Sequence, residues 1–471
     1  MFGLPIELTI LLIFCLVAAA AFEFINGFHD TANAVATVIY THSLKPVYAV
    51  IWSGLWNFIG VYVGGVAVAM GIIALLPLEM LVDQNLWHNM AMILALILTA
   101  IAWNLGTWRL GIPCSSSHTL LGSIFGVGIA FMFLPGSGAV ALNWGKVEDV
   151  GLSLMISPLF GFGLAMGLML LLKKIVRNKK ALKAPPAPNT PPPFWVRAIL
   201  VLTCTSVSFS HGSNDGQKGV GLVMIILIAM APAYFAIDQA RDPQKLYSSS
   251  TQIHTILNKI DSTKLTDETT IMWHVLKKRM SSFEARFAGI NNYSNIKSTD
   301  YFNIRKDILT INSLTGKLIK AQPNLLSSAD KEKVKSNLKE FKASTEYVPG
   351  WVILMISLSL GLGTMIGWKR IVVTIGERIG KTPLTYAQGA SAELVAASTI
   401  LASTSLGLPV STTHVLSSGV AGTMVAGAGL KNLRKKTVRS ILTAWLITLP
   451  VTILMSGLLF LLLRWVFGMF A

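Results

Sequence analysis

Pro113-Cys-Ser115-Ser116-Ser117-His118-Thr-Leu120 returns 296 residues later as Pro409-Val-Ser411-Thr412-Thr413-His414-Val-Leu416. Gly27-Phe-His29-Asp30 likewise returns 185 residues later as Gly212-Ser-Asn214-Asp215. Two motifs recurring in the same order mark a duplicated chain. The offsets differ by 111 residues, so the second copy carries an extra segment of that size between its motifs. Such a segment is visible from 237 to 347, where the sequence turns polar, its Lys and Arg outnumber its Asp and Glu, and helical patches alternate with turn-rich pieces. Ser327 followed by Asp330 is spaced as a helix N-cap.

Outside that segment the chain is apolar. Its 471 residues are 53% hydrophobic and 13% charged, with a mean hydropathy of +0.60, which excludes an ordinary soluble protein of this length. Apolar stretches at 8–25, 47–76, 90–110, 150–172, 198–228, 351–368, 394–408 and 441–466 mostly approach or exceed the roughly 20 residues that cross a bilayer. The first is read as a span and not as a secretory signal, because residues 1–7 lack a basic start. The net charge of +17 then reads as a set of topology determinants, not as a nucleic-acid surface. Cys15, Cys114 and Cys204 have neither metal spacing nor a pairing pattern and read as packing residues.

Basic residues gather at Lys173, Lys174, Arg177, Lys179, Lys180 and Lys183, at Lys369, Arg370, Arg378 and Lys381, and at Lys431, Arg434, Lys435, Lys436 and Arg439. All three loops are expected in the cytoplasm, and the basic-poor loops 77–88 and 135–149 outside. These sides agree only if each Ser/Thr motif lies in a helical hairpin entering and leaving by one face, and if the two copies have opposite orientations. The expected fold is an all-α integral membrane protein. It has two inverted-topology repeats with broken helices and re-entrant or midplane-reaching hairpins (about 90–133 and 386–425), plus a small, mainly helical extramembrane insertion. The expected boundaries are 1–176 for repeat 1, 177–193 for a proline-rich cytoplasmic linker, 194–236 and 349–471 for repeat 2, and 237–348 for the insertion. Both termini and the insertion are expected outside the cytoplasm.

Each hairpin turns at Gly111-Ile-Pro113 or Gly407-Leu-Pro409, immediately before its triplet. Proline suits a helix's first turn, whose amides have no intrahelical partner. A half-helix starting inside the membrane aims free N–H groups and its positive dipole end at its tip, and three hydroxyls add neutral donors, an arrangement that binds an oxyanion. Two opposed copies would clamp a tetrahedral anion with Ser115, Ser116, Ser117, Ser411, Thr412 and Thr413. The plainer reading is that these hydroxyls cap and pack helices; the duplication of the whole pattern favours the clamp.

The other motif places charge inside apolar helices. Glu23, Asp30, Asp215, Lys218 and Glu393 sit in or beside membrane segments, where ionisable groups tend to be paired or functional. Asp30 with Asn33, and Asp215 with Lys218, are spaced to share a helix face, and glycines at 27, 212, 216, 219 and 221 would let the helix break or pack closely. Asp30 and Asn33 are oxygen ligands of the sodium type, whereas Lys218 puts an ammonium where a second cation would stand, which argues for proton coupling. A structural Asp215–Lys218 pair remains open. Asn214 belongs with this coupling group. His29, His118, His211 and His414 are candidate proton carriers or helix-end residues. Gln217 is a candidate substrate contact. Arg109 near the first hairpin tip reads as a substrate contact or as an anchor.

At Asn26-Gly-Phe-His-Asp30-Thr-Ala-Asn33 and His211-Gly-Ser-Asn214-Asp215-Gly-Gln-Lys218 the chain resembles the inorganic phosphate transporter (Pit) family, most closely its bacterial, low-affinity, proton-coupled branch. Asn104-Leu-Gly-Thr-Trp108, Gly363-Thr-Met-Ile-Gly-Trp368 and 409–420 support the resemblance, which covers about 1–236 and 349–471. It implies phosphate symport at the bacterial inner membrane, plausibly of a neutral divalent metal-phosphate complex, by a homodimer with one pathway per protomer. It assigns phosphate to the six triplet hydroxyls and cation coupling to Asp30, Asn33 and Asp215. His29 and Lys218 depart from the family's asparagines, which puts sodium at the second site in doubt. No cofactor is expected beyond transported ions (protons, with sodium or a divalent metal as further candidates), and no metal-ligand set is assigned. A lipid-phosphate phosphatase would need an arginine beside its serines, and neither triplet is followed by one, so an enzyme is not expected. A sulfate permease is disfavoured by Asp30 and Asp215, which suit an anion that still carries a proton.

Overall fold

The computed structural model describes the chain apart from residues 1, 31, 77–79, 81–84, 135–141, 177–181, 183–189, 298–299, 367 and 470–471, and apart from the side chains of residues 32, 33, 370, 375 and 377. The side chains of Asn33 and Arg370, the loop residues Arg177, Lys179, Lys180 and Lys183, and most of the proline-rich stretch therefore lie outside the described residues.

Every element among the described residues is helical, apart from one isolated bridge between Gly380 and Leu433. In chain order the helices are α1 (Ile6–Asp30), α2 (Ala32–Tyr40), α3 (Pro46–Val63), α4 (Ala67–Ile73), α5 (Leu86–Arg109), α6 (Ser116–Met132), α7 (Trp144–Ile175) and α8 (Phe194–Met230). Then come α9 (Pro232–Phe235), α10 (Pro243–Leu257), α11 (Asp267–Phe287), α12 (Asp300–Ala321) and α13 (Ser328–Thr345). The chain ends with α14 (Gly350–Thr364), α15 (Lys369–Val373), α16 (Tyr386–Ser405), α17 (Thr412–Ala428) and α18 (Lys435–Phe467). Among the described residues, six spans are long and apolar enough to cross a membrane: Ile6–Tyr40, α3, α5, α7, α8 and α18. They turn apolar side chains outward, as α1 does with Ile10, Phe14 and Val17 and α18 with Leu446, Leu454 and Leu458. A surface of this kind is stable in lipid and not in water. The chain is thus a multi-pass membrane protein.

Contacts divide the chain into two compact units: Ile6–Ile226 with Val348–Ala471, and Leu227–Tyr347 with Met1–Pro5. In the first, the packing repeats like the sequence. Helices α5 and α6 pair, as do α16 and α17; the α5/α6 hairpin packs against α18, and the α16/α17 hairpin against α7. The long helix closing each copy therefore clasps the hairpin of the other copy. Both hairpin turns have one geometry. Gly111 at φ 66° and Gly407 at φ 68° adopt the left-handed conformation that a Cβ disfavours. Ile112 N–H donates to Thr107 O (3.1 Å) and Gly111 N–H to Trp108 O (2.9 Å), while Leu408 N–H donates to Ser403 O (2.9 Å) and Gly407 N–H to Thr404 O (3.0 Å). This is the Schellman pattern, and it ends α5 and α16 sharply enough for the next helix to start within a few residues.

The glycines of the second motif do not break their helix. Helix α8 runs unbroken through Gly212, Gly216, Gly219 and Gly221, because the missing Cβ atoms admit neighbours: one on Gly212 would overlap Asn57 O of α3. In the first copy α1 ends on Asp30 and α2 begins at Ala32.

The second unit packs α10 to α13 around Phe283, Phe287 and Phe341. Ser327 caps α13, accepting from Asp330 N–H at 3.1 Å. The unit begins earlier than residue 237 because Phe2 packs on Tyr234 and Phe235 (ring centroids 5.1 Å each), and buried Arg305 donates to Ala236 O (2.6 Å) and Thr345 O (3.0 Å), joining its two ends. Burial pulls the Arg305 guanidinium down to about 10, so it stays charged at neutral pH.

Two predictions follow from these contacts. Gly407→Ala forces a Cβ into the left-handed region at a cost of about 1–2 kcal/mol, and thermal melting of the detergent-solubilised protein registers it as a lowered midpoint. Arg305→Met leaves two buried carbonyls without a donor, at about 1–3 kcal/mol each. Limited proteolysis of the full chain then cuts within 227–347 faster than in the unchanged protein.

Candidate functional site

The first hydroxyl of each triplet is an N-cap. Ser115 Oγ accepts from His118 N–H and Ser411 Oγ from His414 N–H, each at 3.2 Å, so α6 and α17 begin one residue later. These two oxygens are committed to their own helices. The remaining four hydroxyls point elsewhere, and three of them reach the carboxylates of the other motif.

Asp30, at the end of α1, accepts Ser116 Oγ–H from the first hairpin (3.0 Å) and Thr413 Oγ1–H from the second (2.6 Å). Asp215, on α8, accepts Thr412 Oγ1–H (3.4 Å) and the Lys218 ammonium (2.7 Å). Lys218 Nζ also donates to Ser117 Oγ of the first hairpin and to Val410 O of the second (2.9 Å), and Ser117 Oγ in turn donates to Val410 O (2.8 Å). His211 Nδ1 pairs with Asn57 Oδ1 at 2.6 Å. This fixes the ring so that Nε2 lies 3.7 Å from Asp30 Oδ2 and 3.6 Å from Asp215 Oδ2, with no hydrogen-bond partner of its own. All of these residues are buried. Asp30, His211 and Asp215 bring ligand atoms within 4.8 Å of one another, close enough to hold a metal ion.

Charge decides what this centre accepts. Lys218 compensates one carboxylate, and the other calls for a proton or a cation among Asp30, His211 and Asp215. Buried ions are tolerated only when paired. The hydroxyls and the ammonium can donate to an oxyanion, and the two carboxylates and the histidine can take a cation or a proton.

The other expected residues are placed apart from this core or tie it together. His29 Nε2 pairs with Thr107 Oγ1 (3.3 Å) and its Nδ1 with Asp30 Oδ1 (3.3 Å); Asn214, its counterpart, donates to Thr404 Oγ1 (2.9 Å) and accepts from Val410 N–H (3.2 Å). Both tie the motif to its own hairpin. Gln217 is spent on Gly64 O, Ser213 O and Val68 N–H, each at 2.7 Å, and makes no contact with the cluster. His118 and His414 meet each other, ring centroids 4.5 Å apart, with His118 Nδ1 on Ser115 Oγ (2.9 Å) and His414 stacked on Trp445. Arg109 is exposed; it lines an open cavity of about 520 Å³ with Trp108, Trp368, Lys369 and Arg378, outside the buried centre. Asn57, which orients His211, was not singled out from sequence; nothing in its apolar context distinguishes it from a packing residue.

Known proteins resemble this chain over nearly its whole length. The low-affinity inorganic phosphate transporter PitA of Escherichia coli (strain K12) is 40% identical over 97% of both chains, and a probable low-affinity inorganic phosphate transporter of Bacillus subtilis (strain 168) is 28% identical over 98% of both. A solved structure entitled the sodium-dependent phosphate transporter shares the fold with a TM-score of 0.53 and 18% identity, over 96% of this chain and 99% of that one. Residues 26–456 match the family described as the phosphate transporter family, and with an organisation that repeats motif for motif about one buried centre, the chain belongs to that family.

Proposed function

We propose that this chain imports inorganic phosphate across the bacterial inner membrane by symport with protons, carrying it as a neutral complex with a divalent metal. Two inverted repeats each supply half of the site. Support for the inversion comes from the equivalent helices α1 and α8, which cross antiparallel: Glu23 lies against Gly219 and Asp30 against His211. The unit at 227–347 is read as an extracytoplasmic insertion in the second repeat.

The observation that carries the proton reading is Lys218. Its ammonium sits on Asp215, Ser117 and Val410 O, where a coupling cation would otherwise be needed. Asp30, meanwhile, is flanked by the imidazoles of His29 and His211. Phosphate is favoured over sulfate because a protonated phosphate oxygen can donate to Asp30 or Asp215 while its other oxygens accept from Ser116, Ser117, Thr412, Thr413 and Lys218. The divalent metal rides among Asp30, His211 and Asp215, as part of the cargo. The solved relative's title names sodium, so sodium coupling is the rival.

Radiolabelled phosphate uptake into proteoliposomes distinguishes them. Uptake rises with an inward proton gradient, needs no sodium, and falls when magnesium is withheld; uptake driven by sodium and indifferent to the proton gradient refutes the proposal. Lys218→Asn weakens the response to the proton gradient and brings sodium dependence, and an unchanged coupling ratio in that variant counts against the role given to Lys218. Ser116→Ala and Thr413→Val each remove one hydroxyl bonded to a charge and raise KM for phosphate roughly tenfold or more. Ser115→Ala instead loses a helix cap and lowers thermal stability by about 1 kcal/mol, with KM little changed.

A further inference from the structure

Glu23 is a second buried acid on the same face of α1, one that the transport centre does not use. Its side chain is buried, and its Oε1 accepts one hydrogen bond, from Asn26 Nδ2 at 3.0 Å. Glu23 Oε2 and Asn26 Oδ1 have no donor among the described residues. A buried carboxyl oxygen without a donor is satisfied when it carries a proton itself. An ionised carboxylate held by a single amide inside a membrane protein is costly, and a proton on Oε2 removes that cost.

The carboxyl has a built seat. It packs on Gly219 of α8, where a Cβ would overlap Oε2, and Gly219 follows Lys218 directly. The charged and titratable groups around Glu23 are Asp215, Lys218 and His211, all from α8. Of the other helices packed on α1, α2 and α14 contain no charged residue, and α5 has its only two titratable groups, His88 and Arg109, towards its ends. The lysine among these groups is Lys218, whose ammonium bonds a hydroxyl of the first hairpin and a carbonyl of the second.

We propose that Glu23 is the proton-binding group of the transport cycle, and that its charge controls whether Lys218 ties the two hairpins together. Neutral Glu23 leaves the ammonium on Ser117, Asp215 and Val410 O, the closed arrangement in this structure. Loss of the proton from Oε2 to the far side breaks one O–H bond and leaves a carboxylate that competes for the same ammonium; drawing it off loosens both hairpins and frees the anion. Reprotonation at the near side re-forms the O–H bond and resets the clamp. This inference rests on the proton-symport reading above.

The test uses the full chain in proteoliposomes, measuring phosphate accumulation under an imposed pH gradient, proton entry by an internal pH dye, and phosphate–phosphate exchange at equal pH. Glu23→Gln mimics the protonated acid in shape and charge. It keeps exchange, loses the roughly tenfold accumulation that one pH unit can drive per coupled proton, and carries no proton with phosphate. Glu393→Gln is the control: this carboxyl is equally buried, bonds Thr203 Oγ1 (2.6 Å) and also has one oxygen without a donor among the described residues, but no lysine acts on it, and its coupling stays at the unchanged level. Gly219→Ala, which displaces the carboxyl without removing it, impairs coupling more than exchange. Undiminished accumulation and proton entry in Glu23→Gln overturn the assignment, as does equal loss of exchange and accumulation with no recovery in Glu23→Asp, which would make Glu23 structural. If the unchanged protein moves no protons at all, the symport reading itself has failed, and that result is separable from a failure at Glu23.

Discussion

The structure depends on the burial of two carboxylates in an apolar bundle. Asp30 and Asp215 are shut off from water, and a buried carboxylate without donors is far costlier than any single packing contact. The hydroxyls they receive, Ser116, Thr412 and Thr413, lie in the first turns of α6 and α17, and Lys218 reaches Asp215 from one turn along α8. Those first turns must be brought to the middle of the protein and held there. The Schellman turns at Gly111 and Gly407, the caps by Ser115 and Ser411, and the clasp of each hairpin by the other copy's last helix all serve that placement. The same donors that satisfy the acids are the ones an oxyanion would use, so stability and function draw on one set of groups.

Symmetry makes the departure from it informative. In the first copy Asp30 receives the second hydroxyl of its own triplet and the third hydroxyl of the opposite one. In the second copy Asp215 again receives the second hydroxyl of its own triplet, but Lys218 stands between it and the third hydroxyl of the other, and Ser117 turns to Val410 O instead. One lysine therefore replaces a hydrogen bond with a positive charge and joins both hairpins to α8. The anion side stays nearly two-fold while the cation side becomes one-sided.

Much of this was legible in the sequence, because duplication leaves a record in spacing. The repeated Pro-x-triplet-His pattern located both hairpins, and the acids in apolar runs located the centre. The division of labour within each triplet was not legible. Whether Ser115 or Ser116 faces the acid depends on where the helix begins, and a shift of one residue turns a side chain by about 100°. The glycines of α8 were equally ambiguous, since absence of a Cβ permits both a break and a close approach, and only the neighbours decide. Arg109 looked central because it is near the hairpin tip in sequence, but α5 ends before the turn and sends that side chain to an open cavity.

The antiparallel crossing of α1 and α8 explains why the sequence marked Glu23 as an acid in a membrane segment without linking it to Lys218. Reading along either helix, Glu23 and Asp30 are two turns apart and Lys218 and Asp215 are neighbours, so nothing in one-dimensional spacing links Glu23 to the lysine. The crossing reverses the order, setting Glu23 beside Gly219 and Asp30 beside His211, with Asp215 and Lys218 between the two ends. A single ammonium is then within the field of an acid that bonds the substrate hydroxyls and of an acid that does not. Moving one proton at the outer member of that row changes the charge felt at the inner member without any group there having to titrate. In the proposed cycle, two copies of an ordinary helix, crossed antiparallel, thus link proton and anion in a way that neither copy could alone.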